Sequence, residues 1–147
     1  MDLIYLDYNC FQRNFDDQSR VRIKLEALAC GYIFSLAETN KVLLSWSFMH
    51  EDENSLCPFP WRKLEVKRLS SLCDNRIGPT KKIYAHAKQY VESVNLSPKD
   101  AVHLACARIS GADYLLSCDR QFLKRASKLH FDFALMNPVE YAMEVLK

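Results

Sequence analysis

The sequence predicts an α/β fold with a parallel sheet covered by helices on both sides, and three observations carry that expectation. Short continuous apolar runs, Leu3 to Leu6, Val42 to Trp46, Tyr114 to Ser117 and Phe131 to Leu135, suit strands buried on both faces. Segments with helical spacing alternate with these runs through short joins, the pattern of parallel strands linked by crossover helices. The length, 147 residues, and a hydrophobic share of 49% suit one core, so a single domain over 1–147 is expected.

The elements follow in order. Leu3 to Leu6 starts the sheet, and a polar turn follows. Asp16-Asp17-Gln18-Ser19 offers cap residues for a long helix running to about Glu38. Val21, Leu25, Leu28, Tyr32 and Leu36, with Ala29 and Ile33 beside them, follow helical spacing there. Thr39-Asn40-Lys41 breaks that helix, and Val42-Leu43-Leu44-Ser45-Trp46 reads as the second strand. A short helix begins near Phe48 and gives way to a loop, because Pro58 and Pro60 cannot continue it. Trp61 to Cys73 reads as a helix with Leu64, Leu69 and Leu72 inward and a basic outer face. Gly78-Pro79-Thr80 is a stop and restart, with Pro79 opening a helix that carries Ile83, Tyr84, Ala87, Tyr90 and Val91.

Ser97-Pro98-Lys99-Asp100 is a strong helix start: an N-cap serine, proline at the first helical position and an acid three residues after the cap. The helix from Ala101 to Ser110 is apolar nearly all round, so it should be deeply buried. Gly111 stops it, Tyr114 to Ser117 makes the third strand, and Asp119 caps the next helix. Phe131 to Leu135 is the fourth strand, and a last helix begins near Pro138.

Composition excludes several function classes. The net charge is only +2, too small to advertise a polyanion partner by itself. The N-terminus lacks the pattern of a secretory signal, and no stretch approaches the length of a membrane span, so a cytoplasmic protein without membrane association is expected. Six cysteines are scattered without CxxC pairs or zinc-ligand spacing, and they read as reduced, mostly buried small hydrophobes. No P-loop or dinucleotide fingerprint is present.

Four acids carry the chemistry. Asp7 and Asp119 fall immediately past predicted strands, Glu51 lies shortly after the second strand, and Asp100 opens a helix leading into the third. Ligands of open parallel sheets bind beyond the carboxyl ends of the strands, so these groups converge if the strands are neighbours. Each acid also has a plain local explanation. Asp100 and Asp119 serve as caps, each worth roughly 1 kcal/mol, Asp7 suits a turn, and Glu51 belongs to the solvated run His50-Glu51-Asp52-Glu53. Together they point elsewhere, because carboxylates about 4 Å apart repel by on the order of 4 kcal/mol at an effective dielectric near 20. A cluster of this kind calls for a hard, oxygen-loving cation such as Mg²⁺ or Mn²⁺. The matching reaction is phosphodiester hydrolysis, in which the ion lowers the pKa of a bound water and neutralises charge on the phosphoryl oxygens.

Two stretches also resemble a known family. Leu3-Ile4-Tyr5-Leu6-Asp7-Tyr8-Asn9-Cys10-Phe11 with Phe15-Asp16-Asp17-Gln18 is one; the other runs from Leu96-Ser97-Pro98-Lys99-Asp100 to Ser117-Cys118-Asp119. They are similar to the PIN (PilT N-terminal) domain family, in particular its VapC-like toxins. The resemblance implies a three-layer α/β/α sandwich and a Mg²⁺- or Mn²⁺-dependent ribonuclease. It also implies frequent homodimers and often a small antitoxin partner. By position, Asp7, Asp100, Asp119 and Glu51 resemble the family's acids, with Glu53 the alternative to Glu51 in an irregular segment. Asn9 and Ser117 match the polar residues that flank the first and last acids. Many relatives carry a further acid where this chain has Arg120 and Gln121, which favours one tightly held ion over two.

Arg62, Lys63 and Lys67, with Arg68, Lys81 and Lys82, offer phosphate contacts for RNA, as do Lys124, Arg125 and Lys128, although each also suits a solvated helix face. Trp61 and Phe59 offer stacking surfaces, whereas Trp46 suits the core. His50 and His103 receive no catalytic role. The expected function is a metal-dependent endoribonuclease, the toxin of a toxin–antitoxin pair; the alternative is a weak or inactive domain that binds RNA or protein.

Overall fold

The computed structural model describes residues 1–144. Its strands are β1 (Asp2–Leu6), β2 (Val42–Ser47), β3 (Asn75–Ile77), β4 (Tyr114–Leu116) and β5 (Ala134–Met136). They form a parallel sheet in the order β3-β2-β1-β4-β5. Helices α1 (Tyr8–Gln12), α2 (Val21–Glu38), α3 (Phe48–Ser55) and α4 (Pro60–Ser70) precede β3 or lie between the strands before it. Helices α5 (Lys81–Val94), α6 (Pro98–Ser110), α7 (Arg120–Ala126) and α8 (Pro138–Glu144) follow.

Strand residues alternate between two cores, as the two-residue period of a strand requires. Ile4, Leu6, Leu44, Trp46 and Leu116 pack with Ile33 and Phe34 of α2, Val66 and Leu69 of α4 and Tyr141 of α8. Tyr5 and Leu115 face the other way, onto Ile83 and Tyr90 of α5, Leu104 and Ala105 of α6 and Phe122 of α7. Burying each large aliphatic or aromatic side chain contributes roughly 1.5–3 kcal/mol. The expected three-layer α/β/α sandwich is what the chain forms. Ser97 caps α6 as the sequence predicts, accepting from the Asp100 amide at 3.2 Å.

Several local expectations need correction. A fifth strand, β3, was not expected, because Asn75-Arg76-Ile77 is short and mostly polar; it pairs at the sheet edge with Ser45 to Ser47 of β2. β5 begins at Ala134 rather than Phe131. Thr80, not Pro79, starts α5, its hydroxyl accepting from the Ile83 amide. In α4 Val66 takes the inward place expected of Leu64, which is exposed. The largest difference is in α2. Val21, Leu25, Leu28 and Tyr32 are 74%, 50%, 64% and 51% exposed, and the opposite face, with Ala27, Cys30, Ile33, Phe34 and Ala37, meets the sheet. Small residues on that inner face let the helix approach the strands, and the larger side chains form an outward apolar stripe. No helix among the described residues is long and apolar enough to cross a membrane.

Candidate active site

The sheet order places the site. The chain builds β1, β2 and β3 outward in one direction and then returns to lay β4 on the other side of β1, so a crevice opens at the carboxyl ends of β1 and β4. Asp7 directly follows β1, Ser117 directly follows β4, and Asp119 lies two residues further on, at the start of α7. The Asp7 amide donates to the Leu116 carbonyl at 2.8 Å, tying the two strand ends together.

Asp7 is buried and held from several sides. Its Oδ1 accepts from the Tyr8 amide at 2.7 Å, and its Oδ2 accepts from Ser117 Oγ at 2.7 Å and Asn9 Nδ2 at 3.2 Å. Asn9 also donates to Ser117 Oγ, and its own oxygen accepts from the Cys118 amide. Burial raises the Asp7 carboxyl from 3.8 to about 6, opposed by His103 and Ser117 and reinforced by Glu53 and Asp100. A raised carboxyl pKa means that the native state binds the proton more tightly than the unfolded chain. The contribution is fully present below pH 3.8 and is lost as pH rises through about 6, a loss of about 3 kcal/mol. Chemical denaturation of the metal-free protein from pH 4 to pH 7 should therefore show a destabilisation that is smaller in the Asp7→Asn variant, which keeps only the part due to other buried acids such as Asp100.

Helix α3 decides which glutamate joins Asp7. Ser47 and His50 close a reciprocal cap at its start: the Ser47 amide donates to His50 Nδ1 at 2.9 Å, and the His50 amide donates to Ser47 Oγ at 3.4 Å. His50 Nε2 then carries the proton and donates to the Leu6 carbonyl at 2.6 Å. Burial lowers the His50 pKa well below its usual value, so the ring is a neutral structural element. Glu53 and Asn54 share the inward face with His50, whereas Glu51 lies about 200° around the helix from Glu53. Glu51 accordingly does not join the cluster. Its oxygens accept from Lys67 Nζ at 2.6 Å and Trp46 Nε1 at 2.8 Å, and Lys67 lowers its pKa. Glu53 lies at the site instead: it accepts from His103 Nε2, and its other oxygen lies 3.6 Å from Lys99 Nζ. The helical period of His50, Glu53 and Asn54 was the available sequence signal.

His103, one turn after Asp100 on α6, is buried and reaches the site. Its Nε2 bonds Glu53 and lies 3.9 Å from Asp7 Oδ1, and its Nδ1 meets the Tyr5 hydroxyl at 2.6 Å. Tyr5 in turn contacts Ser47 Oγ at 2.8 Å, so a buried polar chain anchors the ring. Asp100 is half-buried; burial and Asp119 raise its pKa. Asp119 caps α7 through Oδ1, which accepts from the Gln121 and Phe122 amides at 2.9 and 3.2 Å.

Asp7, Asp16, Glu53, Asp100 and Asp119 line a single cleft of about 450 Å³ together with the cations Arg62 and Lys99. Phe59, Pro58 and Leu56 form an apolar wall, and the Arg62 guanidinium stacks 5.0 Å from the Phe59 ring centre. Arg62 donates to Asp16 at 3.0 Å and to the Phe15 carbonyl at 2.5 Å. Lys63 and Lys67 line a different depression with Glu51, and Trp61 is exposed outside the cleft. Trp46 is buried. Five carboxylates against two cations leave the cleft negative, and ligand atoms of Asp7, Glu53 and His103 lie within 4.8 Å of one another. Two carboxylate oxygens and an imidazole nitrogen at that spacing form a donor set for a divalent cation.

Residues 4–128 match a family model described as PIN domain. No curated protein matches the chain.

Proposed function

Because the chain belongs to the PIN domain family, whose members are generally nucleases, we propose that it is a metal-dependent endoribonuclease. In this reading it is the toxin of a type II toxin–antitoxin pair and acts in the cytoplasm, where its six thiols stay reduced. Asp7, Glu53, Asp100 and Asp119 hold Mg²⁺ or Mn²⁺. The supporting observation is the negative cleft at the carboxyl ends of β1 and β4, where a buried carboxyl retains a pKa of about 6 amid other acids. An anionic RNA cannot approach such a cleft without a cation.

Each residue then has a task. Asn9 and Ser117 fix the Asp7 carboxylate, and His103 and Lys99 hold Glu53. Arg62 contacts phosphate, and the exposed ring of Phe59 offers a stacking face for an unpaired base. When bound, the ion supplies an activated water and neutralises charge on the phosphoryl oxygens. Cleavage of labelled single-stranded RNA tests the reading: activity with Mn²⁺ or Mg²⁺ should vanish with EDTA and return with excess ion. RNA retention without cleavage at any ion concentration would favour a binding module instead.

The outward apolar stripe of α2 supports a protein partner, either a second copy or the antitoxin. Leu25→Glu with Leu28→Glu is expected to abolish association while leaving RNA cleavage within about twofold, since surface changes remote from a site usually shift free energies by about 0.5 kcal/mol. Light scattering of the chain alone and with its antitoxin distinguishes the two partners, and unchanged association would exclude this face.

A further inference from the structure

Cys10 on α1, Cys30 on α2 and Cys118 in the turn between β4 and α7 come from three separate elements, yet their sulfur atoms lie within 4.8 Å of one another. All three residues are buried. We propose that these thiols form a second metal site, separate from the carboxylate cleft, for a thiophilic divalent cation of which Zn²⁺ is the biological representative.

Geometry is the first support. Zinc–sulfur bonds of about 2.3 Å place two sulfurs of a shared tetrahedral ion about 3.8 Å apart, so the cluster needs to contract by about 1 Å at most. Core packing alone asks only for small apolar side chains and has no reason to bring three sulfurs from three elements to one point. A disulfide would use two of them and leave the third without a role.

Donor chemistry separates this site from the cleft. Thiolates select soft or borderline ions, whereas Mg²⁺ and Mn²⁺ take oxygen ligands. Charge agrees as well. Arg13, Arg22 and Arg62 form one network with only two carboxylates, Asp16 and Glu26, and Arg22 donates to the Cys118 carbonyl at 2.8 Å. A divalent ion with three thiolates carries one negative charge, which offsets the surplus guanidinium. Deprotonation of Cys10 gives up weak S–H contacts to Asn9 Oδ1 at 3.5 Å and to the Leu116 carbonyl and is opposed by burial, a cost that ligation to the cation offsets. The bound ion would staple α1, α2 and the β4–α7 turn, the elements that present Asn9 and Asp119.

The test titrates reduced, metal-free protein with Cd²⁺ and follows the ultraviolet sulfur-to-cadmium charge-transfer absorption. The expected result is saturation at one equivalent in wild type and in Asp7→Asn, and loss of that absorption in Cys30→Ala. Zinc K-edge absorption on the loaded wild-type protein needs no variant and should show three sulfur scatterers at about 2.3 Å. The proposal is overturned by absence of the band in excess Cd²⁺, by its persistence in folded Cys30→Ala, or by oxygen scatterers alone. Oxidation to a disulfide with no Cd²⁺ band also overturns it and assigns the cluster to thiol redox chemistry. None of these readouts involves RNA, so the nuclease reading and this one can fail separately.

Discussion

Replacing Asp7 by asparagine is expected to lower Mn²⁺-dependent RNA cleavage by on the order of 10²- to 10³-fold while making the metal-free protein more stable. The first effect follows from removing a charged ligand at a site whose ion contributes several kcal/mol of charge stabilisation, at about 1.4 kcal/mol per tenfold in rate. The second follows from burial: at neutral pH the native state carries a carboxylate raised from 3.8 to about 6, a penalty of about 3 kcal/mol that a neutral amide removes. Asparagine can still accept from Ser117 Oγ and Asn9 Nδ2 through its single oxygen, but it loses the bond from the Tyr8 amide, which offsets about 1 kcal/mol or more of that gain. For a chain of this size the gain corresponds to a rise in Tm of several degrees. Opposite movement of activity and stability is the signature of a strained functional group, since loss of a merely structural aspartate lowers both. Equal cleavage by variant and wild type would remove Asp7 from the reaction.

Glu53→Gln is expected to lower cleavage at least tenfold to hundredfold, the order of magnitude seen when even an outer partner of a metal ligand is lost. Glu51→Gln should leave the rate within about twofold, because its bonds run to Lys67 and Trp46 on the far side of α3. Glu51 and Lys67 are both about half exposed, so their pairing contributes about 1 kcal/mol or less to stability. The same two substitutions followed by Mn²⁺ titration should weaken binding only for Glu53→Gln. A large loss in Glu51→Gln with Glu53→Gln unaffected would contradict the placement of α3.

Much of the fold was legible because its signals are local. Ser97-Pro98 and Gly111 bound α6 in sequence as they do in space, and the apolar runs ending at Leu6 and Leu116 are strands with Asp7 and Asp119 just beyond them. Burial sidedness was less legible. Apolar residues occupy both faces of α2, and only the sheet decides that Cys30 and Ile33 go inward while Leu25 and Leu28 stay outside. β3 carries no apolar run, since it is an edge strand held by backbone pairing to β2.

The candidate site was legible in the same uneven way. Asp7, Asp100 and Asp119 stand at element boundaries, where convergence follows from topology, and the structure sets all three on one cleft. The fourth acid depended on the phase of α3, in which two glutamates separated by one residue face opposite ways. His103 looked like a packing residue on an apolar helix, and its contacts with Glu53 and Asp7 arise only when α3, α6 and β1 meet. The cysteine cluster had no sequence signal, because its three members are distant in the chain and share no motif spacing.

Whether the acids of the cleft share an ion is decided by a crystal structure of the protein soaked in Mn²⁺, with the ion located by its anomalous scattering. An ion is expected in the cleft, coordinated by Asp7 together with at least one of Glu53, Asp100 and Asp119, with Glu51 still paired to Lys67. An ion bound outside that cleft, or a saturating soak that leaves Asp7 without one, would contradict the shared site.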